Sequence, residues 1–203
     1  MAPDDGRGDI TPIYQPVEDG GFRIVGGKRT LNRPIVVGQN RIWTGDTPLF
    51  RMDTTTGNGT YFITSASYQK MSLFQAERMG ALFLDVLRGY QTQGKYLIHE
   101  FVLMPDHFHL LLTPNQSLEK AVQLIKGGFS YRAKKDLGYG GEIWEHSFYD
   151  RRVRDAREYE QFREYIHQNP VKRGLAVVAP EYRYSSAAEA FPLNAAPRWL
   201  KPV

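Results

Sequence analysis

Leu103-Met104-Pro105-Asp106-His107-Phe108-His109-Leu110-Leu111-Leu112 has the form of a tight turn followed by a β-strand. Pro105 presets φ and Asp106 bonds its own backbone, so the pair turns the chain. Beyond it, His107 and His109 sit two apart on a run of large apolar residues. Side chains of a strand alternate faces, so both imidazoles point one way, roughly 6.5–7 Å apart along the chain, while Phe108 and Leu110 point the other. Two imidazoles on one face of a buried strand are costly to keep for packing alone. They can converge on one metal ion if a third ligand comes from elsewhere. Two half-buried histidines with ordinary hydrogen bonds are the alternative, and the pair alone does not decide.

Working outward, Tyr96 to Met104 reads as the strand before the turn and His107 to Thr113 as the strand after it, antiparallel to the first. Upstream, Thr60 to Tyr68 is aromatic, β-branched and Thr-rich, and predicts another strand. Ser72 to Tyr90 turns helical, with Leu73, Ala76, Gly80, Leu84, Val86 and Leu87 at three-to-four spacing and Gly94 as a stop. Downstream, Ser117 can cap a helix whose apolar side is Leu118, Val122, Leu124 and Ile125, with Gly127-Gly128 as a possible interruption before Phe129 to Lys135. Ile143 to Asp150 alternates loosely and suggests a fourth strand or an aromatic clamp. A last helix runs from about Ala156 to Gln168. Asp155 would cap it, Glu158 follows as in a capping box, and Pro170 would end it. The order strand–helix–strand–strand–helix–strand–helix predicts an α+β fold, an antiparallel sheet with helices packed on one face.

Residues 1–58 are rich in Gly, Pro, Asp and Arg without a sustained period. Phe22-Arg23-Ile24-Val25 and Pro34-Ile35-Val36-Val37 could be strands or clips, and the stretch reads as an irregular extension, mobile or ordered, ahead of a domain over 59–203. The 203 residues hold 41% hydrophobic and 13% aromatic residues, enough for a core. The net charge of +4 permits an anionic partner without proving one. With no Cys, disulfides and thiolate zinc sites are excluded. No run approaches the ~20 apolar residues of a membrane span, and the first residues lack a signal-peptide pattern. The expectation is a soluble, cytoplasmic protein with no membrane partner.

On a helical wheel at ~100° per residue, Tyr159, Phe162 and Ile166 of the last helix cluster toward a core. Tyr165 borders that stripe. Asn169 lies one turn on, about 40° away, and His167 points nearly opposite. Tyr165 could be a core-edge aromatic and Asn169 a helix stop, or the two could act together.

Three blocks decide between these readings. Met104-Pro105-Asp106-His107-Phe108-His109, then Trp144 to Asp150, then Tyr165-Ile166-His167-Gln168-Asn169-Pro170-Val171-Lys172-Arg173-Gly174, closely resemble the REP-associated tyrosine transposases, members of the single-tyrosine His-hydrophobic-His transposase family. The likeness spans roughly Thr60 to Ala188, including the tail Pro180-Glu181-Tyr182-Arg183-Tyr184-Ser185-Ser186-Ala187, and leaves residues 1–58 without a counterpart. It implies a ferredoxin-like fold and cleavage of single-stranded DNA beside a hairpin through a covalent 5′-phosphotyrosine. His107 and His109 would be metal ligands, Asn169 the third, and Tyr165 the nucleophile. Relatives occur as monomers and as dimers.

Such a donor set suits Mg²⁺ or Mn²⁺. Tyrosine, with a reference pKa of ~10, is a better leaving group than an alkoxide, which suits reversible strand transfer. Basic residues crowd the same half of the chain: Lys126, Arg132, Lys134, Lys135, Arg151, Arg152, Arg154, Arg157, Lys172 and Arg173. Acidic residues are interspersed, so part of this is solvated surface. Arg151-Arg152-x-Arg154 beside Trp144, Phe148 and Tyr149 combines cations for phosphates with aromatics for stacked bases, or else is an aromatic core with a basic rim. Lys126, Arg132, Lys134 and Lys135 could grip a hairpin stem. Two rival readings remain: a hairpin-binding regulator without activity, and a water-using metal phosphodiesterase with Tyr165 structural.

Overall fold

The computed structural model describes residues 59–197 and Leu200, together with the backbone of five short strands before residue 50. The chain divides into two units, Met1–Met52 and Asp53–Val203. In the first, β1 (Ile13–Pro16) pairs with β2 (Phe22–Val25), and β3 (Ile35–Val36), β4 (Ile42–Thr44) and β5 (Thr47–Pro48) form a second antiparallel sheet. Two of these strands fall on the apolar pieces noted above. The choice between mobile tail and ordered arm concerns residues outside the described ones.

The second unit is an α+β fold. Its elements run β6 (Tyr61–Ala66), α1 (Glu77–Thr92), β7 (Tyr96–Leu103), β8 (His107–Pro114), α2 (Leu118–Leu137), β9 (Tyr149–Arg152) and α3 (Ala156–Lys172). The four strands form one antiparallel sheet in the order β7-β8-β6-β9. The hairpin at Pro105-Asp106 is closed by the Met104 amide donating to the His107 carbonyl at 2.8 Å.

Alternation assigns the faces. Ile63, Phe101, Leu103, Phe108, Leu110 and Leu112 point to one side, where they bury Phe83, Val86 and Leu87 of α1 and Val122, Ile125 and Phe129 of α2. The other side carries Phe62, Thr64, Val102, His109 and Leu111, and against it lies α3: Phe62 stacks on Phe162 with ring centroids 4.4 Å apart. The helices therefore do not all share one face. α1 and α2 take the first, and α3 takes the second, because its stripe of Tyr159, Phe162 and Ile166 needs its own apolar seat.

Three local expectations are corrected. Gly127-Gly128 does not interrupt α2, whose twenty residues are continuous; Gly128 lies where a Cβ would meet the Tyr90 ring, so it serves packing. Pro170 does not end α3, which runs on to Lys172. A proline near a helix end forfeits one donor but keeps its carbonyl, and the Leu175 amide donates to the Pro170 carbonyl at 2.9 Å. Gly174 at φ +68° makes the left-handed turn that stops the helix. Finally, the fourth strand is Tyr149–Arg152 rather than Ile143–Asp150, and Trp144 makes only a lone bridge to Ser67. The caps are as expected: the Ser117 hydroxyl accepts from the Lys120 amide and the Asp155 carboxylate from the Glu158 amide. No helix among the described residues is long and apolar enough to cross a membrane.

After α3 the chain returns along β7. The Leu103 amide donates to the Tyr184 carbonyl, the Tyr182 hydroxyl donates to the Leu103 carbonyl, and Ser185 bridges to Val102.

Candidate active site

His107 and His109 share the α3 side of β8, as the alternation requires. Their Nε2 atoms are 3.1 Å apart, and the Asn169 amide lies 3.1 Å from His109 Nε2. All three residues are buried. The Tyr165 ring sits edge-on to the His109 ring with centroids 5.1 Å apart, and edge-on to Phe62 at 5.8 Å. The residues singled out from sequence thus meet: two imidazoles from β8, an amide and a phenol from one flank of α3. His167 points away, to Glu100.

Two neighbours that sequence reading missed orient the imidazoles. His107 Nδ1–H donates to Asp106 Oδ1 at 2.6 Å, and His109 Nδ1 lies 2.7 Å from the Thr64 hydroxyl. Burial raises the Asp106 carboxyl, but the hydrogen bond and charge of His107 and the charge of Arg173 outweigh it and hold the group below its ordinary value. An ionised Asp106 can only accept, so it fixes the His107 N–H at Nδ1 and leaves Nε2 as the nitrogen turned toward His109. The Thr64 hydroxyl, which can donate or accept, holds Nδ1 of His109 and leaves its Nε2 turned toward His107. Burial, then the charges of His107 and Arg173, push His109 well below its ordinary value, so it is neutral at neutral pH.

Bare lone pairs that face each other across 3.1 Å repel unless a cation or proton lies between them. Two nitrogens held at about 2.0–2.1 Å from one ion, at angles between right and tetrahedral, lie about 2.8–3.4 Å apart. The Asn169 amide can turn its oxygen toward the same point, since its two ends are interchangeable in shape. The donor set therefore fits a divalent cation. Among the described residues no group of three or more His, Cys, Asp or Glu could hold a metal ion; the third group beside the two imidazoles is the Asn169 amide.

The basic and aromatic candidates are scattered. Trp144 packs among Phe74, Phe83, Phe108 and Phe129, across the sheet from the imidazoles, and its indole N–H donates to the Lys126 carbonyl. It is half-buried and packs against the core, which for this residue favours the second of the two readings offered for the aromatic cluster. Lys126 is half-buried, donates to the Glu145 carbonyl at 2.8 Å, and is pushed down to about 8 by burial. Arg132 is paired with Asp85 and Asp136, both at 2.6 Å. Lys134 and Lys135 are exposed on α2, the latter 5.6 Å from the ring centroid of the exposed Tyr131. Arg151 and Arg154 both pair with buried Glu158, and Arg151 lies over the Phe162 ring. Arg152, Arg157, Lys172 and Arg173 are exposed. Of these, Arg173 has its charge felt at His109 and Asp106. The sequence signal that could have sorted them is the strand period on β9: Arg151 pairs with Phe62 and so faces α3.

Beside an antiparallel sheet that brings an imidazole pair to a helix-borne amide and phenol, the comparisons with known proteins point to DNA transposases. The family described as "Transposase IS200 like" matches residues 57–169, so the chain belongs to that family and is a DNA transposase. A putative REP-associated tyrosine transposase of Haemophilus influenzae is 25% identical over 156 residues, 68% of this chain and 84% of that one. The ISDra2 transposase TnpA of Deinococcus radiodurans is 33% identical over 72 residues, 32% of this chain and 51% of that one. A solved REP-associated tyrosine transposase bound to a REP hairpin aligns with a TM-score of 0.53 at 22% identity, covering 75% of this chain and 93% of that one, a likeness of fold.

Proposed function

We propose that the chain cleaves and rejoins single-stranded DNA beside a hairpin, with Tyr165 as nucleophile and His107, His109 and Asn169 as ligands of a divalent metal. The observation that carries this is the convergence of the two Nε2 atoms and the Asn169 amide beside the Tyr165 ring. The hairpin enters from the relatives: one solved relative is bound to a REP hairpin.

The Tyr165 oxygen attacks the phosphorus, and the bond from phosphorus to the DNA 3′ oxygen breaks. The 5′ side is left as a phosphotyrosine, and the departing 3′ oxygen takes up, directly or through solvent, the equivalent of the proton that the phenol gives up. Reversal by another 3′-hydroxyl joins strands. When bound, Mg²⁺ or Mn²⁺ would withdraw charge from a non-bridging phosphate oxygen and orient the phosphate. Asp106 and Thr64 hold the imidazoles in the tautomer that offers Nε2. Asn169 shares a helix with Tyr165, so the amide and the phenol are presented as one unit.

The test is incubation of the full chain with 5′-hairpin single strands and Mn²⁺, followed by denaturing gels. Covalent protein–DNA adduct is expected for the native chain and none for Tyr165→Phe, with hairpin binding retained. Undiminished adduct in Tyr165→Phe rules out Tyr165. Cleavage without adduct in the native chain indicates a water-using phosphodiesterase. Binding without either indicates a regulator.

A further inference from the structure

Glu100 is a buried carboxylate on β7 that the mechanism above does not use. A strand's period would place it with Ile98, under α1 and α2. The register of β7 against β8 slips between Ile98 and Glu100, and this bulge at His99 turns Glu100 to the α3 side. There its two oxygens are divided. Oε1 pairs with Arg163 Nε at 3.2 Å. Oε2 lies 2.8 Å from His167 Nε2 and accepts from the Ser186 hydroxyl at 2.7 Å. Arg163 and His167 are four apart on α3 and bracket Tyr165 in sequence, with Asn169 two residues beyond. Burial alone would raise the Glu100 carboxyl. The hydrogen bonds from His167 and Ser186, with the charges of His167 and Arg163, prevail and hold it below its ordinary value.

We propose that Glu100 is a positioning residue: it grips Arg163 and His167 and so fixes the rotation of α3 that presents Asn169 and Tyr165 to the imidazole pair. The proposal rests on the reading of Tyr165 and Asn169 given above. The apolar part of the α3–sheet seam, with Phe162 on Phe62, is non-directional and does not by itself fix the rotation of the helix. A charged fork held from one strand does. A roll that moved the phenol by about 1 Å would cost about a hundredfold in rate.

The full chain carrying Glu100→Ala is compared with the native chain by three readouts. These are the nuclear Overhauser contact between the Tyr165 and His109 rings, the affinity for Mn²⁺ alone, and the single-turnover rate of adduct formation. The contact should weaken, Mn²⁺ affinity should fall about tenfold, and the adduct rate should fall about a hundredfold with hairpin affinity unchanged. Glu100→Ala should add nothing to the Mn²⁺ loss of Asn169→Ala, because it acts through that residue; a role in stability only would add. Native contact and native Mn²⁺ affinity in Glu100→Ala overturn the proposal. If Glu100→Ala loses the Phe83–Phe129 ring contact and is unfolded, Glu100→Gln replaces it; this variant keeps the volume and drops the charge. The same changes at smaller size are expected, and native values overturn the proposal. A native chain that shows the ring contact and binds Mn²⁺ but forms no adduct defeats Tyr165 as nucleophile. The clamp is then judged on the other two readouts. If the native chain binds no Mn²⁺, the ring contact alone judges it.

Discussion

The two faces of the sheet are built from the same strands and have little else in common. Toward α1 and α2, Ile63, Phe108, Leu110 and Leu112 join one cluster of apolar and aromatic side chains. Toward α3, the intervening residues include His107, His109, Thr64 and Glu100, and they meet Asn169, Tyr165, His167 and Arg163. Buried polar groups are costly unless each finds a partner. The second face meets that cost with hydrogen bonds that leave the two Nε2 atoms aimed at each other. One face stabilises the fold, and the other gathers the candidate site.

Adjacent residues on β8 give the sharpest way to break this contrast. Phe108→Ala empties a fully buried ring site and is expected to cost about 3–5 kcal/mol in urea melts, with residual activity tracking the folded fraction. His109→Gln keeps a polar side chain of similar size and is expected to cost at most about 1–2 kcal/mol. It should nonetheless lower the metal-dependent adduct rate about a hundredfold or more. If His109→Gln is as destabilising as Phe108→Ala and retains the activity, the division between faces is wrong.

That division explains what could be read from residue order. The α1–α2 face follows from alternation and helical spacing, which local physics enforces, so strands, helices and the caps Ser117 and Asp155 were legible. The imidazole pair and the Tyr165–Asn169 flank were legible for the same reason, since each lies on one regular element. What escaped are the places where tertiary packing overrides the period. The bulge at His99 re-aims Glu100, and no residue type there announces it. Pro170 stays within α3 because only one amide donor is lost. Trp144 looks like a base-stacking aromatic until the sheet is closed and it packs against the core. Glu158 has the spacing of a capping box, but its carboxylate accepts instead from the Arg154 amide and pairs with Arg151 and Arg154.

The polar face should also be the one that feels pH. Burial, with the charges of His107 and Arg173, lowers His109, and burial lowers His99, so the folded state resists protons that the unfolded chain accepts. Such groups leave stability intact above their ordinary value near 6.5 and erode it as the pH falls below that, by up to about 1.4 kcal/mol per unit for each proton. Asp106 adds a second loss at lower pH: its folded value is depressed, so its contribution is present above the ordinary carboxylate value and disappears as the folded value is passed. Thermal melts between pH 7.5 and 5 should fall, and His109→Gln should flatten the upper part of that slope. An unchanged slope in His109→Gln would mean that His109 is not held neutral by its surroundings.

The smallest expected effect separates two arginines that composition treats alike. Arg151 is spent inside the fold, paired to buried Glu158 and laid over Phe162. Arg173 is exposed at the end of α3, and its charge reaches His109 and Asp106. Under the proposed function it is an exposed cation near the imidazole pair, available to an incoming phosphate. Arg173→Ala is expected to leave stability within about 0.5 kcal/mol. It should weaken single-strand binding severalfold and reduce by about one the slope of log affinity against log salt concentration. Arg151→Ala should do the reverse: it leaves Glu158 short of a partner and lowers stability by about 1–3 kcal/mol, with the salt slope unchanged. Equal salt slopes in the two variants would show that pairing within the fold does not decide which cation meets DNA.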